Sequence, residues 1–164
     1  MNHSPMSSLT LLEKVRVTDF EPETAAKDVT ERKARVRDAL LQALQAKSVN
    51  LDEIRRRCRE AEFIQVDVTF YLYRGSTEIG RLKKDLDNML KILCDALPQH
   101  MISQDTGDRF PGVGLIDGDS DEKIFKIICR KMFVINETER GFELEISQYN
   151  RSQVEAPPVA PQAQ

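Results

Sequence analysis

The chain has 164 residues, a length that points to a single domain built around one hydrophobic core. With 40% hydrophobic and 31% charged residues and no apolar run long enough to cross a bilayer, it does not read as a membrane protein. A net charge of −3 and a pI of about 5.5 argue against nucleic-acid binding by bulk charge, but they leave room for local basic patches.

Met1 to Ser8 reads as a loose start. It lacks the basic region and apolar stretch of a secretory signal, so a cytoplasmic protein is expected. Leu9 to Phe20 is a plausible first strand, broken by Pro22. From Glu23 to Gln45, Val36, Leu40, Ala43 and Leu44 recur at three- and four-residue spacings, which predicts an amphipathic helix. Leu51 to Ala61 reads as a short second helix, with Asn50 or Asp52 available as its cap. In Ile64 to Leu72, apolar Ile64, Val66, Val68, Phe70 and Leu72 alternate with polar Gln65, Asp67 and Thr69, the pattern of a half-buried strand.

Arg74 to Lys84 is polar and carries two glycines, so it reads as a loop. Leu86, Leu90, Leu93 and Leu97 predict a helix from about Asp85 to Leu97, closed by Pro98. Pro98 to Gly114 reads as a long loop. Ile124 to Val134 is a strand, Asn136 to Gly141 a turn, and Phe142 to Ile146 a last strand expected to pair with the one before it. The expected fold class is α/β (α+β), a mixed sheet in roughly β-α-β-α-β-β order within residues 1–150. The proline-rich stretch 151–164 reads as a disordered tail. Cys58, Cys94 and Cys129 are odd in number and widely spaced, as reduced thiols are.

Two segments carry candidate chemistry. In Lys83-Lys84-Asp85-Leu86-Asp87-Asn88, two carboxylates open a helix where its dipole favours them, and Lys91 follows Asp87 by one turn on the same face. The acidic run Asp117-Gly118-Asp119-Ser120-Asp121-Glu122 precedes a strand. Three converging carboxylates suit Mg²⁺ and the hydrolysis of a phosphodiester, with a neighbouring lysine to hold the phosphate. Taken alone, Asp-x-Asp at a helix start is more often a cap than a catalytic pair. The acidic run is not a calcium loop, because Glu122 and Ile128 stand where that loop needs Gly and Glu.

KKDLDNMLKILCDAL, residues 83–97, resembles the signature of the RusA family of Holliday junction resolvases: a basic stretch, then Asp-Leu-Asp-Asn, a lysine, and Asp-Ala-Leu. The segment Gly114 to Ile128 resembles the acidic element that opens a strand in that family. The loop Pro98 to Gly112 is longer than the family's usual link, and the family's proline- and asparagine-rich N-terminal element is absent from residues 1–20. The resemblance implies a homodimeric endodeoxyribonuclease acting in DNA recombination and repair, with Mg²⁺ (or Mn²⁺) as cofactor and four-way DNA junctions as substrate. It also implies Asp85, Asp87 and Asp121 as metal ligands, Asp119 or Asp117 as alternatives for the third, and Lys91 as the catalytic lysine. The alternative is a junction-binding module on the same fold with weak or lost catalysis.

Arg81, Lys83 and Lys84, beside the carboxylates, are the expected phosphate contacts. The cluster Arg55, Arg56, Arg57 and Arg59 reads equally as a DNA contact and as a solvated helix face, and Lys126, Arg130 and Lys131 stud a strand. His3 and His100 are expected to be neither ligand nor base. Phe110 reads as an anchoring aromatic rather than a wedge.

Overall fold

The first apolar stretch forms strand β1, Thr10–Thr18, in the computed structural model, which describes residues 9–22, 29–73, 85–118 and 122–149. Helix α1, Val29–Ala46, buries Val36, Leu40 and Leu44 on one stripe. The expected start of that helix at Glu23 lies outside the described residues, as do the loose start and the tail. Helix α2, Leu51–Glu60, is capped by Asn50, whose side chain accepts a hydrogen bond from the Glu53 backbone N–H at 3.1 Å. The alternating segment forms β2, Ile64–Tyr73, and helix α3 spans Leu86–Ala96.

The expected loop after α3 instead contains a hairpin of two three-residue strands, β3 (His100–Ile102) and β4 (Arg109–Pro111). Strands this short carry no readable period. Their turn is marked only by Gly107, at φ +75°. Strands β5, Ile124–Val134, and β6, Gly141–Gln148, complete the chain.

The main sheet has the order β1-β6-β2-β5. β5 runs parallel to β2, which it reaches through α3 as a crossover, whereas β6 is antiparallel to both β1 and β2. This corrects the expected hairpin between the last two strands. Burial explains the insertion of β6: Phe142, Leu144 and Ile146 are at most 1% exposed and need neighbours on both sides, while β5 has no fully buried residue and takes the edge. The apolar face of the sheet packs Val15, Val17, Ile64, Val66, Val68 and Phe70 into the core with the helices. The opposite face is polar, with Lys14 paired to Glu143, Arg130 to Asp67, and the Arg16 guanidinium over the Tyr71 ring. Among the described residues no helix is long and apolar enough to cross a membrane.

One ion pair ties α1 to α3. Lys33 is only 4% exposed and its ammonium lies 2.8 Å from Asp95, whose side chain keeps 27% of its surface. Removing the acid strands a buried cation, whereas removing the cation leaves a carboxylate that can turn to water. Asp95→Ala is therefore expected to destabilise by about 2–3 kcal/mol and Lys33→Met by less than about 1 kcal/mol. Urea denaturation of the two variants measures the asymmetry, and equal losses would contradict it.

Candidate functional site

Helix α3 is held by one face. Met89, Ile92, Leu93, Cys94 and Ala96 are buried, which leaves Asp85, Asp87 and Lys91 exposed. Asp85 occupies the N-cap position with extended backbone (φ −69°, ψ 134°), yet its side chain makes no capping hydrogen bond. Capping therefore does not account for this aspartate. Asp87 lies in the first helical turn, where the positive end of the helix dipole favours a carboxylate, and Lys91 follows one turn later.

Among the described residues, none of Asp85, Asp87 and Lys91 takes part in an ion pair or a side-chain hydrogen bond. Several aspartates elsewhere are engaged, Asp38 with Arg37, Asp52 with Arg55, Asp67 with Arg130 and Asp95 with Lys33, whereas the single aspartates Asp19 and Asp105 are as open as those of α3. The exposed group on α3 thus combines two carboxylates and an ammonium, all free to meet a ligand. Two carboxylates with open positions for water fit a hard cation such as Mg²⁺.

Asp119 and Asp121 lie outside the described residues, but the ends of the acidic run are placed. The Gln99 and His100 backbone N–H groups donate to the carbonyls of Ile116 (2.8 Å) and Gly118 (3.0 Å), so this segment runs beside the C-terminal end of α3. Asp117 is 4.0 Å from Arg59 at the end of α2. The Lys123 ammonium donates to the Cys58 and Arg59 carbonyls, and the Lys123 carbonyl accepts from Ile64 at the start of β2. Asp87 stands at the other end of α3, about 15 Å away at about 1.5 Å rise per residue. Ligands of one Mg²⁺ sit about 2.1 Å from the ion, so Asp117 does not share an ion with Asp87 within one protomer. Among the described residues no group of three or more His, Cys, Asp or Glu is placed to hold a metal.

Two arginines of α2 bond to distant backbone carbonyls, and Arg56 pairs along the helix surface. Arg55 donates through Nε (3.1 Å) and Nη2 (2.7 Å) to the Val113 carbonyl and pins the segment after β4. Arg56 pairs with Glu53 and Glu60, and Arg57 donates to the Thr10 carbonyl. The hydrogen bond from Arg56 holds the Glu53 carboxyl below its ordinary range. The sequence alone left this cluster open between DNA and solvent, because the acceptors that occupy Arg55 and Arg57 are backbone carbonyls distant in the chain.

Arg81, Lys83 and Lys84 lie outside the described residues. On β5, Lys126 and Lys131 are exposed and Arg130 bonds to Asp67 at 2.6 Å. His100 is half-buried on β3, and Phe110 packs its ring against the core, as an anchoring aromatic should. His3 lies outside the described residues. The cysteines are free thiols, and burial pushes Cys58 and Cys129 up to about 11. The polar sheet face around Asp67, Thr69, Arg130 and Glu143 was not singled out from sequence. Its signals there are the polar halves of the β2 alternation and of the Glu143 and Glu145 alternation in β6.

No family model, no curated protein and no solved structure matches the chain.

Proposed function

We propose that this chain is a Mg²⁺-dependent endodeoxyribonuclease that resolves four-way DNA junctions, a homodimer of the RusA type. The observation that carries the reading is the unpartnered Asp85, Asp87 and Lys91 at the exposed start of α3, within the segment whose sequence resembles the RusA signature. Asp85 and Asp87 would hold the ion; Asp121, the third carboxylate that the resemblance implies, would have to come from the second protomer, because its neighbours Asp117 and Lys123 lie at the other end of α3. Mg²⁺ held there would lower the pKa of a bound water and offset the negative charge on the phosphoryl oxygens.

The residues of the chain supply the rest. Lys91, a turn beyond Asp87 on the exposed side of α3, would hold a non-bridging oxygen of the scissile phosphate. Arg81, Lys83 and Lys84 directly precede the carboxylates and supply backbone phosphate contacts that bring the duplex to an otherwise acidic protein. A two-fold dimer offers two identical sites to two equivalent junction strands, which accounts for symmetric cutting.

The test is a synthetic four-way junction labelled on each strand in turn. Paired, symmetric nicks are expected with Mg²⁺ or Mn²⁺ and none with Ca²⁺ or excess EDTA. Full cutting in EDTA would eliminate the metal mechanism. Tight junction binding with no cutting under any metal would favour the inactive binding module.

A further inference from the structure

Strand β1 forms one edge of the main sheet, and two grooves run end to end along it. The lower, about 310 Å³, lies between residues 11–13 and the start of α2, with Val49 and Ile54 in its wall. The upper, about 600 Å³, lies between residues 14–20 and the alanines Ala39, Ala43 and Ala46 of α1, whose small side chains leave the space open. Lys47 lines both grooves, and its ammonium donates to the Lys14 carbonyl at 2.8 Å. The backbone of this edge is half occupied. Arg57 takes the Thr10 carbonyl and Lys47 the Lys14 carbonyl, whereas the Asp19 N–H turns inward to the Thr138 carbonyl. Hydrogen-bonding direction alternates along a strand, and the pairing with β6 is regular from Val15 to Thr18, so the backbone groups of Arg16 and Thr18 point outward with those of Lys14.

We propose that residues 150–160 of the same chain fill both grooves as a strap that runs parallel to β1 and closes this edge of the sheet. The composition of the segment suits the edge. An ordinary strand would bring an N–H to carbonyls that already have donors at Thr10 and Lys14. A proline-rich segment brings few N–H groups, yet its carbonyls can accept from the outward N–H groups of Arg16 and Thr18. Such a segment has too few apolar residues to fold by itself, but it can order against a surface that is already built.

The point of exit selects this occupant. The Gln148 N–H donates to the Leu9 carbonyl at 2.8 Å, so β6 ends beside the start of β1 and close to the lower groove. From Leu9 to Leu12 is about 10 Å along the strand, and a segment added outside β1 lies about 10 Å from β6, so about 14–20 Å of chain has to be covered. Extended chain does this in about four to six residues, which brings Val154 against Val49 and Ile54. Glu155 then falls beside Lys47. Lys14 and Thr18 are four residues apart, as are Glu155 and Val159, so Val159 falls level with Phe20 and Ala39, with Pro157 and Pro158 passing Ala43.

Residues 1–8 are a poorer fit. They run into Leu9 in the direction of β1 and would have to turn back to lie along it. With a two-residue turn at Ser7 and Ser8, Met1 ends level with Lys14, short of the upper groove. The strap denies the β1 edge to any other strand, as a covering segment does for an open sheet. It involves none of Asp85, Asp87 and Lys91, so its test reads the order of the strap and is independent of cutting.

Backbone amide NMR on the full chain decides the point. The heteronuclear NOE of Val154, Glu155, Ala156 and Val159 is expected to match that of β1, and the Arg16 and Thr18 amides should exchange slowly. Val154→Asp combined with Val159→Asp should collapse those NOE values and speed exchange at Arg16 and Thr18 by about tenfold or more, with β2 and β6 unchanged. Ala43→Arg, which fills the upper groove from the helix side, should release Val159 in the same way. Should that helix variant unfold, the strap variants still decide, since they alter no residue of the sheet or helices. Low NOE values for the strap in the unaltered chain would overturn the proposal. So would protection of Arg16 and Thr18 that survives both aspartates, whether it is then lost on Met6→Asp, which assigns the edge to residues 1–8, or on dilution, which assigns it to a second copy.

Discussion

Asp87→Asn is expected to lower junction cleavage by about a thousandfold, equivalent to ~4 kcal/mol at the transition state, while leaving the fold intact. The fold is spared because Asp87 is exposed and forms no ion pair or side-chain hydrogen bond among the described residues. What the amide loses there is the favourable charge at a helix start, about 0.3–1 kcal/mol. Cleavage suffers far more, since an amide neutralises no cation. Junction binding should hold or tighten, because a negative charge facing phosphates has gone. Asp85→Asn should behave alike, its side chain having no cap to lose. Asp121→Asn should join them where the second protomer supplies that carboxylate to the ion. Asp117→Asn should cut within a few-fold of wild type, because Asp117 lies beside Arg59 at the far end of α3. Gel-shift and single-turnover cutting on the same junction separate the two effects. An Asp87→Asn protein that cuts at the wild-type rate defeats the nuclease reading. A dead Asp117→Asn beside an active Asp121→Asn defeats only the assignment of the third carboxylate.

The elements that were legible in sequence are those whose signals are local. The alternation of Ile64 to Leu72, the helical leucines after Asp85, the Asn50 cap and the span Ile124 to Val134 all reappear as β2, α3, the α2 cap and β5. Pairing was less legible. A turn at Asn136 to Gly141 between two apolar stretches suggests a hairpin, yet β6 lies on the far side of β2 from β5. The choice follows from burial, a property of the whole sheet: β6 is apolar enough to sit at the centre, and the basic residues of β5 need an edge. The site divides in the same way. The Asp85–Asp87–Lys91 constellation is local to one helix and was visible in the motif. That Asp117 lies a helix length from Asp87 depends on the β-α-β crossover, which sets the two ends of α3 at opposite ends of the strands. The role of the α2 arginines depends on carbonyls of other segments, which no spacing encodes.

Gly141→Ala is expected to destabilise the protein by about 3–5 kcal/mol. Gly141 opens β6 where that strand enters between β1 and β2, opposite Thr18 on one side and Tyr71 on the other. The turn leading into it is clamped to the end of β1, with the Asp19 N–H donating to the Thr138 carbonyl (2.9 Å) and the Phe20 N–H to the Arg140 carbonyl (3.2 Å). The backbone there has φ +149°, a conformation that costs an L side chain about 1–3 kcal/mol. An added Cβ would also stand 2.0 Å from the Val17 carbonyl oxygen and 2.9 Å from its carbon. Both are backbone atoms of a paired strand, so no rotamer change relieves the overlap and β1 must move, at a further cost of about 1–3 kcal/mol. Against a total stability of about 5–15 kcal/mol, the thermal midpoint should fall by roughly 10 °C or more. Gly107→Ala is the control. It too has positive φ, +75°, but a Cβ there meets nothing within 4 Å, so only the backbone cost of about 1 kcal/mol remains. Thermal melts of the two variants side by side decide the point: if they melt together, Gly141 is not wedged against β1, and the β1–β6 register around Val17 and Phe142 is wrong.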